Sequence, residues 1–190
     1  SVIMGTGLYL DAIGEVPSNR MLDVYKSEED ARRVWGAIAG WIIERKGNFG
    51  AFWNNATEAT AAFKDAGCVI GQTWDTTGLL LNREDQNFVY RAPKEGIITW
   101  LDSFGMLKQA MNPEQAVAFM NFMLEPENAA ALTNYAQYSA GVTGVAEFLD
   151  PEVANSPESN PPEGTDTVFV EACPEEVQVL YDAIWTNLKK

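Results

Sequence analysis

Histidine is absent from all 190 residues, which removes the commonest general base, the commonest zinc ligand and every His-based catalytic triad. Cysteine is scarce: Cys68 and Cys173 lie far apart and in no metal-ligand spacing. A disulfide in an exported protein is one reading of them; two buried free thiols is the other, and the burial habit of cysteine favours it. Basic residues are few, 13 against 27 acidic, giving a formal charge of −14. Phosphate binding needs clustered Lys and Arg, so nucleic acid is disfavoured as a partner. Apolar runs are short and broken by Gly or charge, far from the roughly 20 residues a membrane span needs, and direct membrane insertion is not expected. There is no initiator Met and no signal peptide: Ser1 leads straight into VIMGTGLYLDAIG, which reads as helix. The expectation is a mature product or a piece that begins inside a domain.

What is present is ordinary for a folded protein. Hydrophobic residues make up 46% and charged residues 21%, so disorder is not the default. The length suits one large domain or two small ones. The acidic excess either keeps the chain soluble or raises the local concentration of cationic ligands; charge alone does not choose.

Along the chain, a first helix is expected from Val2 to about Ile13, stopping at Gly14. Ser27 opens a second with a capping-box pattern, S-E-E-D, and an apolar stripe of Val34, Ile38, Trp41 and Ile42 that ends before Gly47. FGAFW (Phe49–Trp53) reads as a short strand, Thr57 as the cap of a helix ending near Gly67, and CVIGQTW (Cys68–Trp74) as a buried strand. Next come a helix from Thr76 to Arg83, a strand FVYRAP, a turn PKEG and a strand IITWLDSFGML. Asn112 is the expected cap of a helix with Pro113 at its first position, and Glu125-Pro126 ends that helix and starts another reaching about Tyr138. The proline-rich stretch from Asp150 to Gly164 reads as an extended surface connection, and a final helix runs from Pro174 to Leu188. Alternating strands and helices indicate an α/β fold, whose ligands gather at the carboxyl ends of strands.

Two segments place an aromatic beside a carboxylate at such an end: QTWDTTG and ITWLDS. An amine ligand needs both groups. Each ammonium wants a carboxylate, because an unpaired buried charge is prohibitive, and its methylenes want flat walls that also attract the cation by about 0.5 to 2 kcal/mol. On a continuous strand, Trp100 and Asp102 share one face, and Trp74 could supply the opposite wall. Trp35, Trp41, Trp53 and Trp185 sit on amphipathic patterns and read as core.

The segments VIGQTW (Val69–Trp74), PKEGIITWLDS (Pro93–Ser103), AFMNFMLEPENAA (Ala118–Ala130), YAQYS (Tyr135–Ser139) and LDPEVAN (Leu149–Asn155) together resemble the periplasmic polyamine-binding proteins, the spermidine and putrescine receptors of ATP-driven (ABC) uptake systems. The resemblance implies part of a two-lobed, type 2 periplasmic-binding-protein fold with a mixed sheet flanked by helices in each lobe. Residues 1–95 would be the second, central lobe without its start, and residues 96–190 the returning C-terminal part of the first. It further implies Trp74, Trp100, Asp102 and Tyr138 as cleft-lining residues, Asp75 and Thr77 as amine contacts, and Glu171 as a polar contact before the last helix. A small cationic ligand, a membrane permease as partner, a periplasmic location, no cofactor and no catalysis come with it. Family members begin with a first lobe to which nothing here corresponds, and the turn after Tyr138 reads SAGVTG where Pro and Asn are usual. Two other readings stand beside this one: a hydrolase using Asp75 and Asp102 as a carboxylate pair, and an acidic interaction scaffold with purely structural tryptophans.

Overall fold

A computed structural model of the chain describes residues 2–156, 164 and 166–190. Among these residues the protein is mostly helical, with α1 (Val2–Ala12), α2 (Glu28–Glu44), α3 (Ala56–Lys64), α4 (Asp75–Glu84), α5 (Pro113–Met123), α6 (Pro126–Ala136), α7 (Pro151–Ala154) and α8 (Glu175–Leu188). Strands β1 (Ile97–Thr99) and β2 (Thr167–Phe169) pair in parallel, Ile97 opposite Thr167 and Thr99 opposite Phe169. The chain divides into two compact units. One takes Ser1–Thr73, Pro93–Trp100 and Thr165–Lys190, the other Trp74–Ala92 and Leu101–Gly164.

The first unit is organised by α2. The Ser27 hydroxyl accepts the Asp30 N–H at 3.1 Å, the cap its sequence pattern predicts, and donates to the Asp30 carboxylate at 2.9 Å, where a full capping box would return that carboxylate to the Ser27 backbone N–H. That hydroxyl holds the Asp30 carboxyl below its usual range, and the acids at 28, 29 and 30 suit the positive helix end. Val34, Ile38 and Ile42 are wholly buried one turn apart, and with Ile3, Leu10, Val24, Val168, Val177 and Leu188 they form one continuous core. Trp35 belongs to that core; Trp41 and Trp185 pack partly buried against it. Helix α1 approaches closely because Gly7 has no side chain: a Cβ there would lie 2.2 Å from Met21 Sδ and 2.8 Å from Ile38 Cδ1.

The turn carrying Met21 is unusual. Asn19, Arg20 and Met21 all have positive φ (48°, 56° and 70°), a conformation costing non-glycine residues roughly 1–2 kcal/mol each. The Asp11 carboxylate offsets this by accepting the Ser18 N–H at 2.6 Å, the Ser18 hydroxyl at 3.1 Å and the Arg20 N–H at 3.0 Å. Met21 is then fully buried, and the Arg20 guanidinium pairs with Asp166 at the entry to β2.

The second unit is built from α4 to α7. Pro113 and Pro126 open α5 and α6 as expected, although Asn112 makes no side-chain cap. Its hydrophobic cluster is small: Ala129, Ala130 and Val145, with Ala140, Val142 and Leu149 against them. No residue of α5 is buried.

Several sequence expectations are corrected. FGAFW, CVIGQTW and FVYRAP form no strands, and IITWLDSFGML is a strand only over its first three residues. A strand's backbone groups need a neighbouring strand or solvent, and no partner strand reaches these segments among the described residues; Val69 and Ile70, expected buried, are 96% and 88% exposed. Helix α3 starts at Ala56, capped by Asn55 and not by Thr57: Asn55 Oδ1 accepts the Glu58 N–H at 2.9 Å while Glu58 accepts the Asn54 N–H at 2.8 Å. Helix α2 stops at Glu44, and Gly47 falls in a 3-10 turn just after it, Lys46–Asn48. Helix α6 ends at Ala136, within two residues of the end expected near Tyr138. The cysteines are free but each is only half-buried. Within the proline-rich stretch, Pro151–Ala154 makes a single helical turn; residues 157–163 lie outside the described residues.

Candidate functional site

Five of the expected residues belong to the second unit. Trp74 has extended backbone and precedes α4 without capping it through its side chain. Asp75 is the first helical residue, and its Oδ1 accepts the Thr76 N–H at 2.8 Å. A helix N-terminus carries partial positive charge that repels a cation; a carboxylate there reverses the sign of the local field. Thr77 is 3% exposed and its hydroxyl has no hydrogen-bond partner among the described residues. Behind it the Tyr90 ring packs onto Gly78, where a Cβ would lie 2.5 Å from Tyr90 Cδ2. Any side chain at 78 would push α4 off this ring.

Asp102 and Tyr138, 36 residues apart, are brought together: the Tyr138 hydroxyl donates to Asp102 Oδ2 at 2.5 Å. Asp102 is exposed and Tyr138 half-buried. A carboxylate can accept about four hydrogen bonds, so a phenol on one oxygen orients the group and leaves capacity for an ammonium. Thr76, which sequence reasoning passed over, joins the two halves of this arrangement. Its hydroxyl donates to the Ala136 carbonyl at 2.5 Å, tying the start of α4 to the end of α6, two residues before Tyr138. A threonine in a helix's first turn is too common to have signalled this role.

The other two residues belong to the first unit. Trp100 directly follows β1 and is 39% exposed. Glu171 lies just past β2 and is also exposed. The parallel ladder continues to them, with the Val170 N–H donating to the Thr99 carbonyl at 3.0 Å, so both emerge at the carboxyl ends of neighbouring parallel strands, the edge where α/β proteins bind ligands. The Glu171 backbone also hydrogen-bonds Tyr25, whose phenol burial pushes up despite that bond. The argument from strand alternation does not hold: β1 ends at Thr99, so Trp100 and Asp102 do not share a strand face, and they fall in different units. Trp53, read as core, is half-buried and its indole N–H donates to the Gln72 carbonyl at 3.0 Å. Among the described residues no helix is long and apolar enough to cross a membrane, and no three His, Cys, Asp or Glu gather as a metal site.

Comparison with known proteins adds an independent line. The family described as bacterial extracellular solute-binding proteins matches residues 10–162. The chain is 26% identical over 106 residues to a putrescine/agmatine-binding protein of Pseudomonas aeruginosa, covering 55% of this chain and 29% of that one. It is 29% identical over 113 residues to a spermidine/putrescine-binding periplasmic protein of Escherichia coli K12, covering 60% of this chain and 26% of the relative. A spermidine/putrescine-binding periplasmic protein of Salmonella typhimurium is 30% identical over 86 residues, 45% of this chain and 25% of the relative. The matches thus span less than a third of these relatives' length. No solved structure matches the chain. The family binds solutes and does not transform them, which displaces the carboxylate-pair hydrolase. With the family match covering most of its length, this chain belongs to the bacterial extracellular solute-binding proteins.

Proposed function

We propose that the chain is part of a periplasmic receptor that captures a small organic cation of the polyamine class and presents it to the permease of an ABC uptake system. Residues 1–95 would then be most of the second lobe of a two-lobed fold with a mixed sheet in each lobe, and residues 96–190 the returning part of the first. The observation that carries the reading is the Tyr138–Asp102 hydrogen bond, which orients an exposed carboxylate. Asp75 and Thr77 lie in the same unit, at the start of α4. In this reading Asp102 and Asp75 neutralise ammonium groups, and Trp74 and Trp100 face the methylenes and add cation–π attraction. Thr77 and Glu171 complete the polar contacts. Closure of the lobes would follow from the ligand binding the closed form more tightly than the open one.

Titration calorimetry of the full-length protein with putrescine and spermidine tests this. Saturable heat is expected, lost on Trp100→Ala. Asp102→Asn should weaken binding more than about tenfold, the loss of a charge-assisted contact of ~1.5–3 kcal/mol, with the melting temperature nearly unchanged. No response to any cation sinks the reading, and a large drop in melting temperature makes Asp102 a structural residue.

A further inference from the structure

A threonine in a helix's first turn ordinarily hydrogen-bonds within its own segment. Thr76 instead directs its hydroxyl to the Ala136 carbonyl, 60 residues away in sequence. Ala136 is the last residue of α6, where carbonyls lack intrahelical donors. The neighbouring carbonyls there are served locally: Thr133 accepts the Gln137 N–H at 2.8 Å and Asn134 accepts the Gln137 side-chain amide at 3.1 Å. Ala136 takes its donor from α4.

The two residues after Ala136 make this contact consequential. Gln137 is buried and turns the chain through the left-handed region at φ 55°. Tyr138 comes next and reaches Asp102. The direction in which Tyr138 leaves α6 is therefore set by the peptide that Thr76 holds, and a small rotation at Gln137 would carry the phenol out of hydrogen-bonding range. Asp75, whose carboxylate caps the Thr76 N–H, sits on the same two-residue lever.

We propose that Thr76 is a positioning residue of the cation site: its hydroxyl fixes the end of α6 so that Tyr138 orients the Asp102 carboxylate. The inference rests on the reading of Asp102 as an ammonium partner, and it adds a residue that contacts no ligand.

The test uses the full-length protein labelled with 13C at the tyrosine Cζ carbon, whose resonance reports the hydrogen bonding of the Tyr138 phenol. Thr76→Val keeps shape and removes the hydroxyl; Thr76→Ala removes both the hydroxyl and the methyl but is a better helix former, should the valine variant fold poorly. Both are expected to move the Tyr138 resonance toward its position in Asp102→Asn and to raise the putrescine Kd roughly fivefold, the worth of one neutral hydrogen bond. Thr76→Ser should restore both. A Tyr138 resonance unmoved by the removals, or not restored by serine, overturns the proposal; so does a resonance that moves while the putrescine Kd of the variants stays that of the wild type. If the wild-type protein takes up no putrescine, the cation-receptor reading fails, while the Tyr138 resonance still decides whether Thr76 orients the pair.

Discussion

The two units of this chain bury themselves to very different degrees. In the first, α1, α2 and α8 enclose a continuous cluster in which Ile3, Leu10, Ile38, Ile42 and Val177 have no exposure. In the second, the cluster is three small residues with their neighbours, and α5 buries no residue fully: Ala116, Met120 and Met123 are half-buried on one face, while Phe119 and Phe122 are each 54% exposed. Propensity and capping suffice to draw a helix like α5, with proline at its first position and no interior breaker. They do not supply the packing from which helices in proteins draw most of their stability. The first unit therefore holds its helices by deep tertiary burial, and the second holds α5 by local preference supplemented by a half-buried face and the Phe119–Phe104 ring contact.

The sharpest way to break this contrast is a matched pair of truncations. Ile38→Ala should cost about 2–5 kcal/mol in chemical denaturation, whereas Phe119→Ala should cost only about 0.5–1.5 kcal/mol, the worth of its edge-on contact with the Phe104 ring. Equal costs would mean that α5 is packed after all. A smaller effect is expected at the left-handed turn: Asp11→Ala removes the acceptor for two backbone N–H groups and a hydroxyl, and should cost about 1–3 kcal/mol. An unchanged denaturation midpoint would show that the turn stands without its carboxylate. The smallest effect is pH-dependent. The Glu58 carboxyl is held below its usual value, first by the Asn54 N–H, and the Asp30 carboxyl first by the Ser27 hydroxyl. Lowered values stabilise the fold above the ordinary carboxylate range and lose that contribution as pH falls through the folded-state values. Acid below the ordinary carboxylate range should thus loosen the starts of α2 and α3, seen as lower amide protection factors at Asp30 and Glu58, before the Ile38 region responds.

Local chemistry in the sequence was the legible part. The Ser27 cap and the prolines at 113 and 126 each act within one helical turn, and each stands where it was expected, whereas the Asn112 cap beside Pro113 does not form. Strands were misread because FGAFW and CVIGQTW carry strand-forming residues without a partner, and pairing is decided by distant chain. Nothing in the string of residues sets Ile97 opposite Thr167. The family was readable because its motifs are contiguous, and their resemblance named Asp102 and Tyr138. That those two residues bond to one another, and that Thr76 holds the helix end between them, depends on packing across dozens of residues.

The parallel pairing of β1 with β2 bears on how the chain is made. Between Ile97 and its partner Thr167 runs the larger part of the second unit, Leu101–Gly164, so the first strand emerges from synthesis with its ladder groups unmatched until that long excursion is complete. Non-local pairings of this kind form slowly and leave an open edge meanwhile. While translation crosses residues 100–166, β1 stands as an unpaired edge on which another chain could form a ladder.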